Sequence, residues 1–315
     1  MSKEIKNGSV QLPLAVVPIY ADDGTFDIKA TYLKVLEDDS EITMPVAAIE
    51  SLVVLLSVTQ TSTSSELIKV LADATSKLKK DVKNSVSLTA GCDLFTRFVL
   101  RNINDMGDWE ACKDHLMKNG RLFAQRAKDA RKTIASNGLP FIRDDDVILV
   151  HAHSRAVISL LLLAASKLIR FRVYVTESRV TENGFKTAEI LRKNNIPVCL
   201  IADVTVGYVI QKVDKIFVGA EGVAESGGVI NASGTYQIGV LAKDTKVPFY
   251  VVAESHKFVR LYPVSPSDIA TDYPLEFTTE TKNKELETLP TTDFTPHQYV
   301  TALITDIGVL TTSGC

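Results

Sequence analysis

Residues 147–161 read VILVHAHSRAVISLL. Four apolar residues run straight into two histidines, a serine and an arginine, and a second apolar run follows with a different period. A short apolar run with a polar end, followed by spacings of three and four, marks a buried strand feeding a crossover helix. The same pattern returns at FRVYV 171–175, PVCLI 197–201, KIFVG 215–219 and PFYVV 248–252, separated by helical spacings near 155–169, 184–194, 204–212 and 235–243. That alternation predicts an α/β fold with a mostly parallel sheet over 139–315, its strands apolar throughout because both faces are covered. The segment 265–294, rich in Thr, Pro and charge, reads as an irregular excursion, and YVTALITDIGVL 299–310 returns to the core.

Upstream the pattern is helical. Val46, Ile49, Val53 and Leu56 recur at three and four, as do Leu94, Phe95, Phe98 and Val99, and Trp109, Cys112 and Leu116. Asp105, Gly107 and Asp108 separate two helices, while Asn137, Gly138 and Pro140 stop the last. An all-helical domain is expected over 26–138, behind a flexible leader at 1–25 that carries Pro13, Pro18 and Gly24.

The chain has 315 residues, 45% hydrophobic and 23% charged, which is the mixture of an ordinary globular protein and not of a disordered or disulfide-stapled one. A net charge of -3 gives no general attraction to nucleic acid. Cys92, Cys112, Cys199 and Cys315 have no CxxC spacing and read as reduced thiols of a cytosolic chain. The most apolar stretches, 52–58 and 157–165, are too short to cross a bilayer, so no membrane role is expected.

Ligands of open α/β sheets bind beyond the carboxyl ends of the strands. Here those ends are polar every time: His151, Ala152, His153, Ser154 and Arg155; Thr176, Glu177, Ser178 and Arg179; Asp203; Gly219, Ala220, Glu221 and Gly222; Glu254, Ser255, His256 and Lys257. Ser154 and Asp203 could each be an N-cap and nothing more. Taken together, though, two arginines beside helix N-termini favour an anionic group such as phosphate.

His151 and His153, two apart, invite a metal reading, but no third ligand lies nearby in sequence, and no metal is expected. Ser154 lacks a GxSxG elbow, and neither GxxxxGK[ST] nor GxGxxG occurs. The run VGAEGVAESGGVINASGTYQIGVLAK, 218–243, holds six glycines and reads as a backbone built for close approach, or as a connection before a helix capped by Ser233 or Thr235.

VHAHSRAV, FRVYVTESR, the 218–243 run, PFYVVAESHKFVRLYP and ITDIGVLT, in this order, resemble the family of alpha, beta and delta subunits of eukaryotic translation initiation factor 2B, and the alpha members above all. LEDDSEITMPVAAIESLV and NSVSLTAGCDLFTRFVLRNI extend the resemblance back to about residue 27. It implies a Rossmann-like second domain, a homodimer formed through it, and a cytosolic complex with the beta, gamma, delta and epsilon subunits. That complex exchanges guanine nucleotide on initiation factor 2, with the catalytic centre in another subunit. The alpha subunit's implied role is to support assembly and to sense phosphorylation of the alpha subunit of initiation factor 2. The resemblance also implies a short C-terminal helix beyond the Ser313, Gly314, Cys315 end seen here.

Methylthioribose-phosphate and ribose-bisphosphate isomerases share the second domain and provide the alternative reading. They carry an acid/base cysteine where this chain has Ala152, and a methyl group cannot move a proton. Their lysine is matched by Ala232, and the Asn before glycine in their NG element by Ser226. What the resemblance retains is Arg179, followed by Val180 in place of proline, with Asp203, Glu221 in place of aspartate, Asn231 and Thr235. With Arg155, these form the candidate pocket for a sugar-phosphate or nucleotide effector, and no catalytic residue or cofactor is expected.

Overall fold

The computed structural model describes residues 16–39, 42–82, 86–103, 109–260, 263, 277, 279 and 290–311. The helical half contains α1 (Ile28–Asp38), α2 (Met44–Val58), α3 (Ser64–Asp81), α4 (Val86–Asn102) and α5 (Trp109–Gly138). Helix α2 is apolar on nearly every face and buries Val46 to Ile49 and Leu52 to Leu56, so it must be the axis of this half. Helices α1, α4 and α5 pack around it. Helix α3 contributes a single stripe, Leu67, Leu71, Thr75 and Leu78, and starts where Thr63 Oγ1 accepts the Glu66 N–H at 3.2 Å.

Residues 1–15 of the expected leader lie outside the described residues, while its last part, 16–25, is structured. Tyr20 bridges Phe26 through a turn closed by Gly24 N–H to Ala21 O, and Val16 packs on the helical core. Turn hydrogen bonds of this kind leave no apolar period to read. Asp105, Gly107, Asp108 and the side chains of Trp109 and Cys112 lie outside the described residues. Helix α5 is 30 residues long and serves two cores: Leu116 and Ala127 pack with α2, whereas Ile134 and Ala135 lie beneath the sheet.

The strands follow in order: β1 (Asp146–Val150), β2 (Phe171–Thr176), β3 (Val198–Ile201), β4 (Lys215–Val218), β5 (Gly222–Ala224), β6 (Val229–Ala232), β7 (Phe249–Val252), β8 (Phe258–Val259), β9 (Thr292–Thr295), β10 (Ala302–Thr305) and β11 (Gly308–Leu310). Seven form one sheet in the order β11-β10-β7-β4-β1-β2-β3, parallel throughout except for the β10–β11 hairpin. Helices α6 (Arg155–Ser166) and α7 (Asn183–Lys193) cover one face together with the end of α5; α8 (Val206–Val209) and α9 (Thr235–Thr245) cover the other. The five strands expected from the sequence all form, each within a residue or two.

Three features differ from expectation. The 218–243 run contains the β5–β6 hairpin, part of a second sheet of order β8-β5-β6-β9. Strands of two to four residues are too short to show a period, and their partners lie far away in sequence. Strand β9 also begins inside the expected 265–294 excursion, most of which is outside the described residues. The 204–212 helix is a four-residue α8 between two 3-10 turns, consistent with Gly207 and the β-branched Val204, Thr205, Val206 and Val209.

Candidate functional site

From β1 the chain runs outward to β2 and β3, then crosses back to place β4 on the other side of β1. Such a reversal leaves a crevice at the carboxyl ends of β1 and β4. His151 to Arg155 and Gly219 to Glu221 meet there, around a cavity of about 200 Å³.

His151 is 2% exposed, with Nε2 3.0 Å from the Ser233 carbonyl and Nδ1 2.6 Å from Thr176 Oγ1. A carbonyl only accepts, so Nε2 carries the hydrogen and Nδ1 accepts from the threonine. Burial lowers the His151 pKa, with Asp203 opposing from 4.0 Å, and the ring is a neutral brace. Thr187 donates its one hydroxyl hydrogen to Ala152 O at 2.9 Å, so His153 Nδ1 donates to Thr187 Oγ1 at 3.0 Å. The two rings therefore serve different elements. Among the described residues no three His, Cys, Asp or Glu side chains gather as a metal set.

Ala152 lines the cavity with φ of 57°, a left-handed conformation that costs a non-glycine residue roughly 1–2 kcal/mol. The turn at this point presents a methyl group to the cavity. Ser154 is the N-cap of α6, accepting from Val157 N at 3.4 Å. A Cβ on Gly219 would lie 2.5 Å from that hydroxyl oxygen, so glycine is required for β4 to end so close to α6.

The cavity brings together Ala152, Arg155, Glu221 and Asn231, and excludes Arg179, Asp203 and Thr235. Arg155 also donates from Nη1 to the Ile42 carbonyl at 2.8 Å. Asp203 is not an N-cap; its carboxylate accepts the N–H of Ser178 at 3.0 Å and of Arg179 at 2.7 Å, clamping the loop after β2. The Arg179 residue is exposed. Thr235 is fully buried, takes a hydrogen bond from Asn231 Nδ2 at 3.1 Å and donates to Ala232 O at 2.6 Å, closing the turn behind the pocket. Helix α9 is capped neither by Ser233 nor by Thr235: its N-cap is Gly234, at φ of 107°, and the side chain that accepts there is Asp293. Burial raises the Asp293 pKa to about 6.

Sequence reasoning placed Glu254 and Lys257 on the rim without choosing them. Lys257 reaches the cavity, bonding Ala220 O at 2.8 Å and pairing with Glu254 at 3.0 Å. Burial alone would raise the Glu254 pKa, but Lys257 and His256 outweigh it and hold the group at about 2. The Glu221 carboxyl is shifted the other way, upward through burial, against Lys257. The helical domain supplies a wall that the sequence pattern did not reveal: Thr43, Met44, Pro45 and Ser87.

Helix N-termini from α6 and α7, a lysine and several hydroxyl and amide groups can hold a small polar anion. Proton transfer at position 152 is unavailable. Fold and site together define an α/β protein with a helical N-terminal region, a mostly parallel sheet and a crevice that presents a methyl group, Ala152, at the end of β1.

The family model for the initiation factor 2 subunit family matches residues 37–312. The chain belongs to that family. It is 40% identical to the translation initiation factor eIF2B subunit alpha of Dictyostelium discoideum, over 91% of this chain and 93% of that protein. It is 30% identical to a ribose 1,5-bisphosphate isomerase of Methanocaldococcus jannaschii, over 69% of this chain and 70% of that one. Its fold matches a chain in the crystal structure of the tetrameric eIF2B-beta2-delta2 complex from C. thermophilum, with TM-score 0.73, 17% identity, and 91% and 92% of the two chains covered.

Proposed function

We propose that this chain is an alpha-type regulatory subunit of the guanine nucleotide exchange factor for initiation factor 2. It acts in the cytosol, with the exchange centre on another subunit. The observation that carries this reading is Ala152, a methyl group on a strained turn at the crevice, which leaves no acid/base group at the position that the resemblance to the isomerases makes catalytic. Asp203 adds to it, because its carboxylate holds the Ser178 and Arg179 N–H groups and does not border the cavity.

In this reading the chain pairs with a second copy through its α/β domain and joins the beta, gamma, delta and epsilon subunits. An exposed face of the helical domain senses the phosphorylated alpha subunit of initiation factor 2. The cavity is retained as an effector site, and its volume of about 200 Å³ suits a sugar phosphate better than a nucleotide.

Light scattering on the chain alone, and on a mixture with the other four subunits, tests the assembly role. A dimer that enters a larger complex is expected. A monomer that stays apart from the other subunits overturns the proposal, as does conversion of ribose 1,5-bisphosphate to a ketose in proportion to added protein.

A further inference from the structure

The helical half carries a groove of about 350 Å³ that shares no lining residue with the crevice. Leu94, Arg97, Phe98, Arg101 and Asn102 of α4 line it, spaced at three and four, so one stripe of that helix faces the groove over two turns. At 1.5 Å per residue the stripe is about 12 Å long. Phe123 lines the groove from α5, and Phe95, buried in the helical core, lies at its floor.

Phe98 and Phe123 pack on the helical core yet are only partly buried, and the Phe95 and Phe98 rings lie 6.0 Å apart. On the same two helices Leu100 is 43% and Leu122 37% exposed, so apolar surface is not confined to the groove. Arg97 and Arg101 stand one helical turn apart, and among the described residues neither forms an ion pair. Arg97 Nε donates only to a carbonyl of its own helix, Asp93 O, at 3.2 Å. No carboxylate lines the groove, so two uncompensated positive charges stand beside aromatic surface.

Charge and shape together select the occupant. A purely apolar partner would strip water from the guanidinium groups without replacing it, and a small inorganic anion would leave the aromatic floor uncovered. A helix with leucine or phenylalanine at spacings of three and four fills the groove with its apolar face. Glutamates one turn apart on its flank then meet arginines that are one turn apart. We infer that the groove between α4 and α5 docks an acidic amphipathic helix supplied by a protein partner. This surface and the effector cavity are separate, and neither depends on the other.

The test uses the full chain and a fluorescein-labelled synthetic peptide of about 18 residues, long enough to hold a helix. The peptide is composed of glutamate, alanine, leucine and phenylalanine, with its apolar residues at spacings of three and four. Its controls are a scrambled peptide of the same composition and one with lysine in place of every glutamate. Fluorescence anisotropy should show saturable binding of the first peptide alone, weakening as salt is raised. Hydrogen exchange should slow over residues 94–102 when it is bound. Arg97→Glu combined with Arg101→Glu should weaken binding at least about tenfold and leave the circular dichroism unchanged. Arg101→Glu alone, at an exposed position, serves should the pair fail to fold, with a loss of about threefold. Equal binding of either control peptide, undiminished affinity in the folded variants, or no binding to the wild type overturns the proposal. A fall in the light-scattering mass of the folded variants without peptide makes the occupant a second copy of this chain, and overturns it as well.

Discussion

Asp293, on β9, accepts the backbone N–H of Gly234 at 2.7 Å, so a residue 59 positions away in the chain caps the helix behind the candidate pocket. The same carboxylate accepts from Tyr236 at 3.0 Å. Burial outweighs these hydrogen bonds and raises the Asp293 pKa to about 6, against about 3.9 in an unfolded chain. The folded state thus binds the proton more tightly, and Asp293 contributes stability at acid pH that is lost as pH rises from about 4 through 6, on the order of 3 kcal/mol. His256 acts in the opposite sense over a similar window, because burial lowers its pKa to about 4. The Asp293 effect must therefore be read as a difference. In urea unfolding, Asp293→Asn is expected to be less stable than wild type at pH 4.5 and to gain on it by pH 7.5. A parallel pH dependence in the two proteins would refute this assignment.

Tyr32 points to a gain in stability. Its side chain is fully buried in the helical core, and its hydroxyl has no hydrogen-bond partner among the described residues. Burial raises its pKa. A buried hydroxyl without a partner costs about 1–3 kcal/mol, and phenylalanine fills the same volume without it. Tyr32→Phe should raise the unfolding free energy by about 1 kcal/mol, measured in guanidinium; a loss of that size would reveal a partner for the hydroxyl.

How much of this was legible in the sequence depends on the range of each interaction. The strands β1, β2, β3, β4 and β7 carry their own apolar runs, and each is followed by polar residues, so the sheet and its rim could be read locally. Strands β5, β6, β8 and β9 could not, because they are short and are defined by one another. The same limit applies to the site. Arg155 and Glu221 follow their strands directly, whereas Thr43, Ser87 and Asp293 arrive from distant elements by docking. Asp203 was recognised by its likeness to an isomerase acid, but likeness gives no direction to a carboxylate, and the structure turns it to the Ser178 loop.

Gly219 tests the close approach of β4 and α6. A methyl group there would sit 2.5 Å from Ser154 Oγ, displacing the cap of α6. Loss of a serine cap costs about 1 kcal/mol, and the steric shift adds to it, so Gly219→Ala should destabilise by about 1–3 kcal/mol. Thermal unfolding of Gly219→Ala beside Ser154→Ala separates the two contributions; equal losses would leave only the cap.

The proposed dimer needs a face, and the outer side of the β1–β2–β3 edge offers one. Val204 is 82% and Tyr208 76% exposed, and Lys212 lies over the Tyr208 ring at 5.1 Å. Lys212 also borders a groove of about 450 Å³ with Tyr174, Pro197 and Cys199 on its walls. Tyrosines at the centre of an interface carry about 2 kcal/mol or more. Tyr208→Asp should shift the light-scattering mass from dimer to monomer at micromolar concentration without altering the circular dichroism, and an unchanged dimer would move the interface elsewhere.

The sharpest prediction concerns Ala152. If the missing thiol were the only defect of an otherwise intact isomerase site, Ala152→Cys would restore turnover of ribose 1,5-bisphosphate. The geometry argues that it does not. Both Asp203 oxygens hold backbone N–H groups of the Ser178 loop, and Asp203 does not border the cavity. Lys257 is tied to Glu254 and Ala220 O. A cysteine at 152 would enter the left-handed turn at the strain alanine already bears, yet neither Asp203 nor Lys257, each turned to other partners, would work beside it on a substrate. Ketose formation by Ala152→Cys should therefore equal that of the wild type, both at the uncatalysed rate. A rise of a hundredfold or more, the size of contribution a positioned acid/base group makes, would show that the crevice kept its catalytic alignment and lost only the thiol.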